Sequence, residues 1–261
     1  MALLLPWLAR HFPSSNTLPA ATRIDRCCPH GDRPPVRATR PTRKGGAIKG
    51  IVFDCDGVLV DSERLLVVID QYVFAQLGWE ASIEEIIRRF VGKTEAQCEI
   101  EIQSVLGPLP GDWREPYTDL YERALREDLT AVPGVEAALR EIALPKAVAS
   151  NSPRATILRS LSTTALTPYF HGRLVGADDV DRGKPAPDAY LRAAELLGLP
   201  PSECLAVEDS PTGVVAARAA GMRVLGFGGG LSTPQTLLAA GADVFHSMSD
   251  LPALVESYLD Q

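Results

Sequence analysis

Two aspartates directly after a short apolar segment are the first candidates for chemistry. Residues 51–53 (Ile-Val-Phe) have the pattern of a buried strand, and Asp54 and Asp56 follow with one residue between them. In extended backbone both carboxylates point to one side, and Gly57 lets the chain turn sharply. Acids so close resist joint ionisation unless a cation separates them or one is protonated. The pair predicts a hard metal ion, acid–base catalysis or both, against the plainer interpretation of an Asp-Gly turn.

Three further polar signals stand in loops of the predicted α/β part of the chain. Residues 150–152 (Ser-Asn-Ser) follow an apolar strand and combine hydroxyls with backbone N–H groups, which suits phosphate oxygens but equally an ordinary helix cap. Lys184 lies in a proline-rich loop, where a lone lysine is usually solvated. Glu208 and Asp209 follow another apolar strand. Adjacent buried acids are costly without a cation, although one of them could also cap the next helix.

The strands that would carry these residues alternate with helices. After residue 130, apolar runs predict strands at 146–150, 174–175, 205–207 and 224–227, with a helix after each of the first three. This alternation is typical of an α/β fold with a mostly parallel, doubly wound (Rossmann-like) sheet. Ligands of such sheets bind at the carboxyl ends of the strands. The polar residues are therefore expected to meet at that edge.

The stretch between the first strand and the next is predicted to be wholly helical. Across residues 62–130 apolar residues recur at three- and four-residue spacing, and Ser82 with Glu85 has the form of a capping box. A crossover between parallel strands normally needs only one helix. We therefore expect a helical cap domain at 62–130, inserted into a core formed by 47–61 and 131–261, rather than helices that simply pack on the sheet.

Residues 1–46 differ from the rest of the chain. They carry a charge balance of +6 and seven of the 21 prolines, which leaves −13 for the remainder. Such a basic, proline-rich segment cannot bury enough surface to fold alone, so we expect a disordered tail. Its arginine-rich, acid-poor composition is typical of an organelle transit peptide and its apolar start of a signal sequence, but an extended gene start explains it equally well. We favour a cytoplasmic protein.

Composition and charge narrow the classes of partner. The acidic folded part argues against non-specific binding to nucleic acid. No apolar run approaches the length of a membrane helix, and five scattered cysteines do not form a secreted disulfide framework. We expect a soluble protein, a monomer or weak dimer, with no nucleic-acid or membrane partner.

The string at residues 53–63, Phe-Asp-x-Asp-Gly-x-Leu-x-Asp-Ser-Glu, resembles the first motif of the haloacid dehalogenase-like hydrolases. The match is to the branch whose cap is inserted directly after this motif. Ser150, Lys184 and the pair at 208–209 occur in the order and spacing of the family's other three motifs. The resemblance covers residues 49 to about 250 and implies phosphoryl-transfer chemistry.

The resemblance implies a role for each acid. Asp54 would be the nucleophile that becomes an aspartyl phosphate, and Asp56 would be the general acid and base. Mg²⁺ would be held by the Asp54 carboxylate, the Asp56 backbone carbonyl and Asp209, with Glu208 as a further candidate ligand.

The resemblance also assigns the contacts to the substrate. Ser150 and Lys184 would hold the phosphate oxygens. Gly57, Asn151 and the cap-loop residue Lys93 are further candidates for substrate binding.

Departures from the motifs separate the branches of the family. Sugar-phosphate mutases carry a His on the first cap helix and an Arg in the cap loop, whereas residues 64–75 contain no His and the loop offers Lys93 and Glu95. Dehalogenases lack the second acid, which Asp56 supplies. Phosphonoacetaldehyde hydrolases use a Lys earlier in the cap. The remaining resemblance is to sugar-acid and sugar-alcohol phosphatases, such as 6-phosphogluconate phosphatase.

The expected partner is therefore a small phosphorylated metabolite. Three alternatives stay open: a β-phosphoglucomutase-like mutase, a phospho-accepting receiver domain and an idle binding protein of the same fold. A receiver domain uses similar groups but has no cap.

Overall fold

The computed structural model of the chain describes residues 47–91 and 95–259. The predicted disordered tail at 1–46 lies outside these residues. Among the described helices, none combines the length and apolar character that crossing a membrane requires.

Six parallel strands form one sheet in the order β3-β2-β1-β4-β5-β6. Their bounds are β1 (Gly50–Phe53), β2 (Lys146–Ala149), β3 (Leu174–Val175), β4 (Cys204–Glu208), β5 (Arg223–Phe227) and β6 (Asp243–Phe245). The predicted α/β class and parallel sheet are confirmed. Strand order reverses on the two sides of β1, which creates the kind of switch point where doubly wound sheets bind ligands.

The helices connect these strands. Their bounds are α1 (Ser62–Gln76), α2 (Ile83–Phe90), α3 (Glu95–Leu106), α4 (Thr118–Glu127), α5 (Val135–Glu141), α6 (Arg154–Thr163), α7 (Asp188–Leu197), α8 (Pro211–Ala219), α9 (Pro234–Ala240) and α10 (Leu251–Glu256). Helix α7 ends at Gly198, which adopts the left-handed conformation that terminates many helices.

Apolar residues cover both faces of the sheet. One cluster joins alternate strand residues such as Phe53 and Val207 to α5, α6 and α10. A second cluster joins the other strand face, including Val52 and Ala206, to α7, α8 and α9. Burial on both faces explains why the strands are continuous apolar runs without polar alternation. It also leaves the strand ends as the places where polar groups can reach solvent.

Helices α1 to α4 follow one another between β1 and β2. The rings of Phe74, Trp79 and Phe90 pack together, with Phe74 and Trp79 stacked at 4.9 Å between centroids. Half of the predicted capping box is present, because the Ser82 hydroxyl accepts from the Glu85 N–H at 3.1 Å. The Glu85 carboxylate accepts from the Arg89 side chain at 2.9 Å.

The chain enters and leaves these helices through two adjacent segments. Val60 and Ala131 form an isolated antiparallel bridge. The Asp61 N–H donates to the Thr130 carbonyl at 2.9 Å, and the Val132 N–H to the Leu59 carbonyl at 3.0 Å. The two crossings are therefore hydrogen-bonded to each other. The domain boundaries placed beside them remain predictions.

Candidate active site

Asp54 is positioned by the end of β1. Its N–H donates to the Val207 carbonyl of β4 at 2.9 Å, which continues the sheet pairing into the first residue of the loop. The carboxylate is buried, and its Oδ1 accepts from the Lys184 ammonium at 2.7 Å. Burial raises the pKa of Asp54 above its ordinary value, and the Lys184 charge opposes that rise.

Lys184 reaches the same place from the loop before α7. Its Nζ donates to Glu208 Oε1 at 2.6 Å as well as to Asp54, and its side chain is only 4% exposed. The ammonium also lies 5.0 Å from the ring centre of Tyr190. Burial alone would lower the pKa of Lys184, but the Asp54 and Glu208 carboxylates raise it above its ordinary value. The lysine is therefore a fixed cation between two acids.

Glu208, the last residue of β4, has both carboxylate oxygens engaged by protein donors. Tyr190 donates its hydroxyl to Oε1 at 2.8 Å. The backbone N–H groups of Asp209 and Ser210 and the Ser210 hydroxyl donate to Oε2 at 3.0–3.1 Å. A Cβ at Gly213 would lie 1.7 Å from Oε1, so the first turn of α8 packs directly on this carboxylate. With its oxygens engaged in this way, Glu208 supports Lys184 more directly than it would support a metal ion.

Asp209, unlike Glu208, has a carboxylate oxygen without a hydrogen-bond partner among the described residues. The residue is 1% exposed, and the unpartnered atom is the buried Oδ2. A Cβ at Gly57 would lie 1.9 Å from that oxygen and a Cβ at Gly230 would lie 3.1 Å from it. Burial, followed by the charges of neighbouring acids, raises the pKa of Asp209 well above its ordinary value. A buried, unpaired carboxylate is unfavourable unless a cation receives it.

The geometry of these acids fits a hard divalent cation. One carboxylate oxygen each from Asp54, Glu208 and Asp209 can be chosen so that all lie within 4.8 Å of one another. Carboxylate oxygens are the ligands that Mg²⁺ and Ca²⁺ prefer. The unpartnered Asp209 oxygen is the observation that makes the cluster a candidate metal site, since none of the described residues supplies a donor for it.

Asp56 is oriented by hydroxyl groups. Ser62, the first residue of α1, donates to Oδ1 at 2.6 Å, and Ser152 donates to Oδ2 at 2.8 Å. Ser150 is farther from Oδ2, at 3.5 Å. The structure thus brings the predicted Ser150 to the site, and adds Ser152 and Ser62 as partners of the second acid.

These groups line one cavity of about 240 Å³. Its walls include Asp54, Asp56, Ser150, Lys184 and Asp209. A groove of about 300 Å³ between α4 and α6 is larger, but it is lined by residues such as Glu122, Arg126 and Arg159 and by none of the predicted site residues. The cavity at the strand ends is therefore the candidate active site.

The sequence matches the haloacid dehalogenase-like hydrolase family over residues 48–221. The chain belongs to this family. The predicted family and the predicted fold are therefore confirmed.

Relatives of this hydrolase include proteins named as phosphatases. Hexitol phosphatase A from Escherichia coli is 32% identical over 72% of this chain and 86% of its own length. The 6-phosphogluconate phosphatase from Escherichia coli is 29% identical over 69% of this chain and 82% of its own length. The protein SUPPRESSOR OF QUENCHING 1, chloroplastic, from Arabidopsis thaliana is 34% identical over 72% of this chain, which spans only 18% of that protein. The prediction of an enzyme of phosphatase type is supported.

Solved structures place this hydrolase in the same fold. A conserved haloacid dehalogenase-like protein of unknown function from Agrobacterium tumefaciens is 36% identical, with a TM-score of 0.75 over 80% of this chain and 98% of its own. A β-phosphoglucomutase-type protein from Thermotoga maritima is 28% identical, with a TM-score of 0.69 over 81% of this chain and 100% of its own.

Two of the predicted substrate contacts have protein partners in the hydrolase. The Asn151 amide accepts from the Lys184 N–H at 2.8 Å and donates to the Lys184 carbonyl at 3.3 Å, so it holds the backbone of the lysine loop. Gly57, at φ +78°, lies against Asp209 on the metal side of the cavity. Lys93 lies outside the described residues. Direct substrate contact by these three residues remains a prediction.

Sequence reasoning missed Tyr190 and Glu63. Tyr190 is fully buried in α7, and a tyrosine among the apolar residues of a helix looks like core packing. Glu63 belongs to the Asp-Ser-Glu end of the first motif but was given no role; in the structure it lines the cavity. Its place in that motif is the signal that could have singled it out.

Proposed function

We propose that this hydrolase removes phosphate from a small phosphorylated metabolite, a sugar, sugar-acid or sugar-alcohol phosphate, in a Mg²⁺-dependent reaction through an aspartyl phosphate. The observation that carries the proposal is the convergence of a buried nucleophile candidate, a buried lysine and an unpaired acid. Lys184 lies 2.7 Å from Asp54, and the unpartnered Asp209 lines the same cavity.

Mg²⁺ would be held by Asp54, Asp209 and the Asp56 backbone carbonyl, and would offset the charge of the phosphate and the carboxylates. Asp54 attacks phosphorus, and the bond from phosphorus to the leaving oxygen breaks. Asp56, held by Ser62 and Ser152, gives its proton to the leaving alkoxide.

The second half of the reaction releases the phosphate. Asp56 takes a proton from a water molecule, whose oxygen attacks the phosphorus of the acyl phosphate. Inorganic phosphate leaves and the Asp54 carboxylate is regenerated. Lys184 and Ser150 stabilise the charge on the phosphate oxygens during both steps.

Glu208 and Tyr190 support this chemistry indirectly. Glu208 fixes the Lys184 ammonium at 2.6 Å, and Tyr190 fixes Glu208 at 2.8 Å. A cation held in this way is already in place when charge develops on the phosphate. Such preorganisation is the main source of electrostatic catalysis.

The alternatives have less support. The Thermotoga maritima protein named as a β-phosphoglucomutase favours a mutase, but residues 64–75 of this chain lack the histidine of that branch. Helices α1 to α4 after the first strand argue against a receiver domain. The convergence of nucleophile, lysine and acids argues against an idle binding protein.

The test is a Mg²⁺-dependent screen of phosphate release across sugar, polyol and nucleotide monophosphates, with the parent chain and Asp54→Asn. We expect release from at least one sugar or polyol phosphate, and a loss of about 1000-fold or more in the variant, because the amide is not a nucleophile. Circular dichroism should show that the variant is folded.

Three other outcomes of this screen would contradict the proposal or favour one of the alternatives. Near-normal turnover by Asp54→Asn would refute the nucleophile assignment. A long-lived phosphoryl group on Asp54 without turnover would favour a receiver-like protein, and conversion between phosphate isomers would favour a mutase.

A cytoplasmic location and a monomer or weak dimer complete the proposal. One relative is named as chloroplastic, and this name supports the alternative that residues 1–46 direct the protein to an organelle. The acidic charge of the remainder supports a protein that acts on small molecules and not on nucleic acid.

A further inference from the structure

Two carboxylate oxygens among the described residues are buried without a hydrogen-bond partner, Asp209 Oδ2 and Glu63 Oε2. Asp209 belongs to the proposed metal site, but Glu63 has no role in the proposed reaction. Both side chains line the same cavity of about 240 Å³. Buried oxygens normally accept a hydrogen bond or contact a cation. Because both of these oxygens lack such a partner and line one cavity, one missing partner can account for both.

Glu63 follows Ser62, whose hydroxyl donates to Asp56, and the Glu63 side chain lines the same cavity as Asp209. Glu63 is nevertheless outside the group of Asp54, Glu208 and Asp209, whose oxygens lie within 4.8 Å of one another. It is therefore near the metal site but is not one of the candidate direct ligands.

An ordinary ion pair does not account for Glu63. The cation next to it in sequence, Arg64, donates to the Gly229 carbonyl at 2.8 Å and lies 3.8 Å from Asp61. Lys184, the cation that lines the cavity, is held between Asp54 and Glu208. The contacts of these two cations are thus directed at groups other than Glu63.

The chemistry of magnesium supplies the missing donor. Mg²⁺ in proteins usually keeps several water molecules, and these waters are strong hydrogen-bond donors that need acceptors. Acceptors beyond the direct ligands commonly govern metal affinity. A free carboxylate oxygen beside Asp209 is suited to that role.

We propose that Glu63 is a positioning residue of the cation site, where its carboxylate accepts a hydrogen bond from a water molecule on Mg²⁺ held at Asp54 and Asp209. The inference rests on the metal site of the proposed function. It assigns Glu63, the fourth acid of the first motif, to Mg²⁺ affinity and not to substrate binding.

The test is calorimetric titration of the full, metal-free chain with Mg²⁺ alone, without substrate. Four proteins are compared: the parent, Glu63→Gln, Asp209→Asn and Glu84→Gln. Glu84 is an exposed glutamate of α2, so its variant removes the same charge away from the cavity. We expect Glu63→Gln to raise the Mg²⁺ Kd about tenfold or more, Asp209→Asn to raise it further, and Glu84→Gln to change it less than twofold.

A Ca²⁺ titration separates a contact through water from a simple loss of charge. Ca²⁺ takes more of its ligands directly from protein oxygens, so Glu63→Gln should weaken Ca²⁺ binding less than Mg²⁺ binding. The melting temperature of the metal-free variant should equal or exceed that of the parent, because the substitution removes repulsion between like charges. Glu63→Asp keeps the charge but shortens its reach, and should show an intermediate Kd.

The outcomes distinguish the two proposals. An unchanged Mg²⁺ Kd in Glu63→Gln, with a weakened one in Asp209→Asn, overturns the role of Glu63 alone. Equal weakening for Mg²⁺ and Ca²⁺, or a Kd in Glu63→Asp no better than in Glu63→Gln, overturns the contact through water. An unchanged Kd in Asp209→Asn overturns the metal site of the proposed function itself. If Glu63→Gln does not fold, the Glu63→Asp titration decides, and a parental Kd there overturns the inference.

Discussion

Charged residues are used in two different ways in this hydrolase. In helices α1 to α4 and their connections, acids and arginines pair at partly exposed positions. Arg89 contacts Glu85 at 2.9 Å and Glu101 at 3.1 Å, and Arg114 contacts Glu99 at 2.6 Å. At the strand ends, by contrast, charged side chains are buried or partly buried and acids outnumber cations. Pairs of the first kind each contribute little to stability, since water competes for them.

The excess of acidic over basic side chains at the strand ends is the feature of this contrast that relates to function. Five carboxyl groups converge there on one ammonium group; the acids are Asp54, Asp56, Glu63, Glu208 and Asp209, and the cation is Lys184. A folded chain bears the desolvation of so many acids only if something else offsets it. The contrast with the helices therefore supports the proposed cation more clearly than any one residue does.

The largest expected effect comes from removing the buried cation. Lys184→Ala leaves Asp54 and Glu208 buried without their shared cation, so we expect a loss of about 3–5 kcal/mol in the free energy of unfolding, together with the loss of activity. Arg114→Ala is the matched change in the helices and should cost at most about 1 kcal/mol, with activity retained. Urea denaturation of both variants measures the difference. Similar losses in the two would contradict the distinction between the regions.

A smaller effect is expected from a methyl group at a glycine. Gly57 and Gly78 both have positive φ, +78° and +94°, so alanine at either position should cost on the order of 1 kcal/mol in backbone strain. Only at Gly57 would the new Cβ meet a neighbour, Asp209 Oδ2 at 1.9 Å; no atom lies within 4 Å at Gly78.

We therefore expect Gly57→Ala to lower Mg²⁺-dependent phosphate release about 100-fold or more and Gly78→Ala to leave it within about twofold. Steady-state kinetics at several Mg²⁺ concentrations measure both variants. Full activity in Gly57→Ala would show that Asp209 can move without consequence.

The smallest effect concerns pH. Burial, with the charges of neighbouring acids, raises the pKa of Glu63 from 4.5 to about 7. A raised pKa means that the folded state binds this proton more tightly than the unfolded state does. The stabilising contribution is thus complete below about pH 4.5 and is lost as pH rises through 7.

Without metal, the parent should lose stability relative to Glu63→Gln between pH 5 and pH 8, by on the order of 1–2 kcal/mol. Urea midpoints of both proteins in the presence of a chelator measure this difference. Subtracting the stability curve of Glu63→Gln from that of the parent removes the titration of the other acids. If the parent gained stability relative to Glu63→Gln as the pH rises, the predicted direction would be wrong.

The sequence predicted those parts of the fold and site that depend on local pattern. Strands such as β1 and β4 are apolar runs, and Asp54 and Asp209 come directly after them, so their location at one sheet edge follows from the parallel arrangement. The same alternation of side chains along an extended backbone accounts for Cys55, which lies between the two aspartates and is buried in the core.

Pairings that depend on side-chain direction could not be predicted in this way. Nothing local indicates that Glu208 would direct its oxygens to Lys184 and Tyr190, or that Asn151 would hold the lysine loop. The sequence of the loop at 228–230, three glycines, likewise carries no signal for a role at the site. The contact of Gly230 with Asp209 joins segments that are distant along the chain.

The chain passes between the sheet and helices α1 to α4 through two segments that are hydrogen-bonded to each other at Val60 and Ala131. Ser62 lies immediately beyond the first of these segments and its hydroxyl is bonded to Asp56. The orientation of the Asp56 carboxylate is therefore tied to the position of the first turn of α1, so that a change at the start of this helix would reach the proposed proton donor through one hydroxyl.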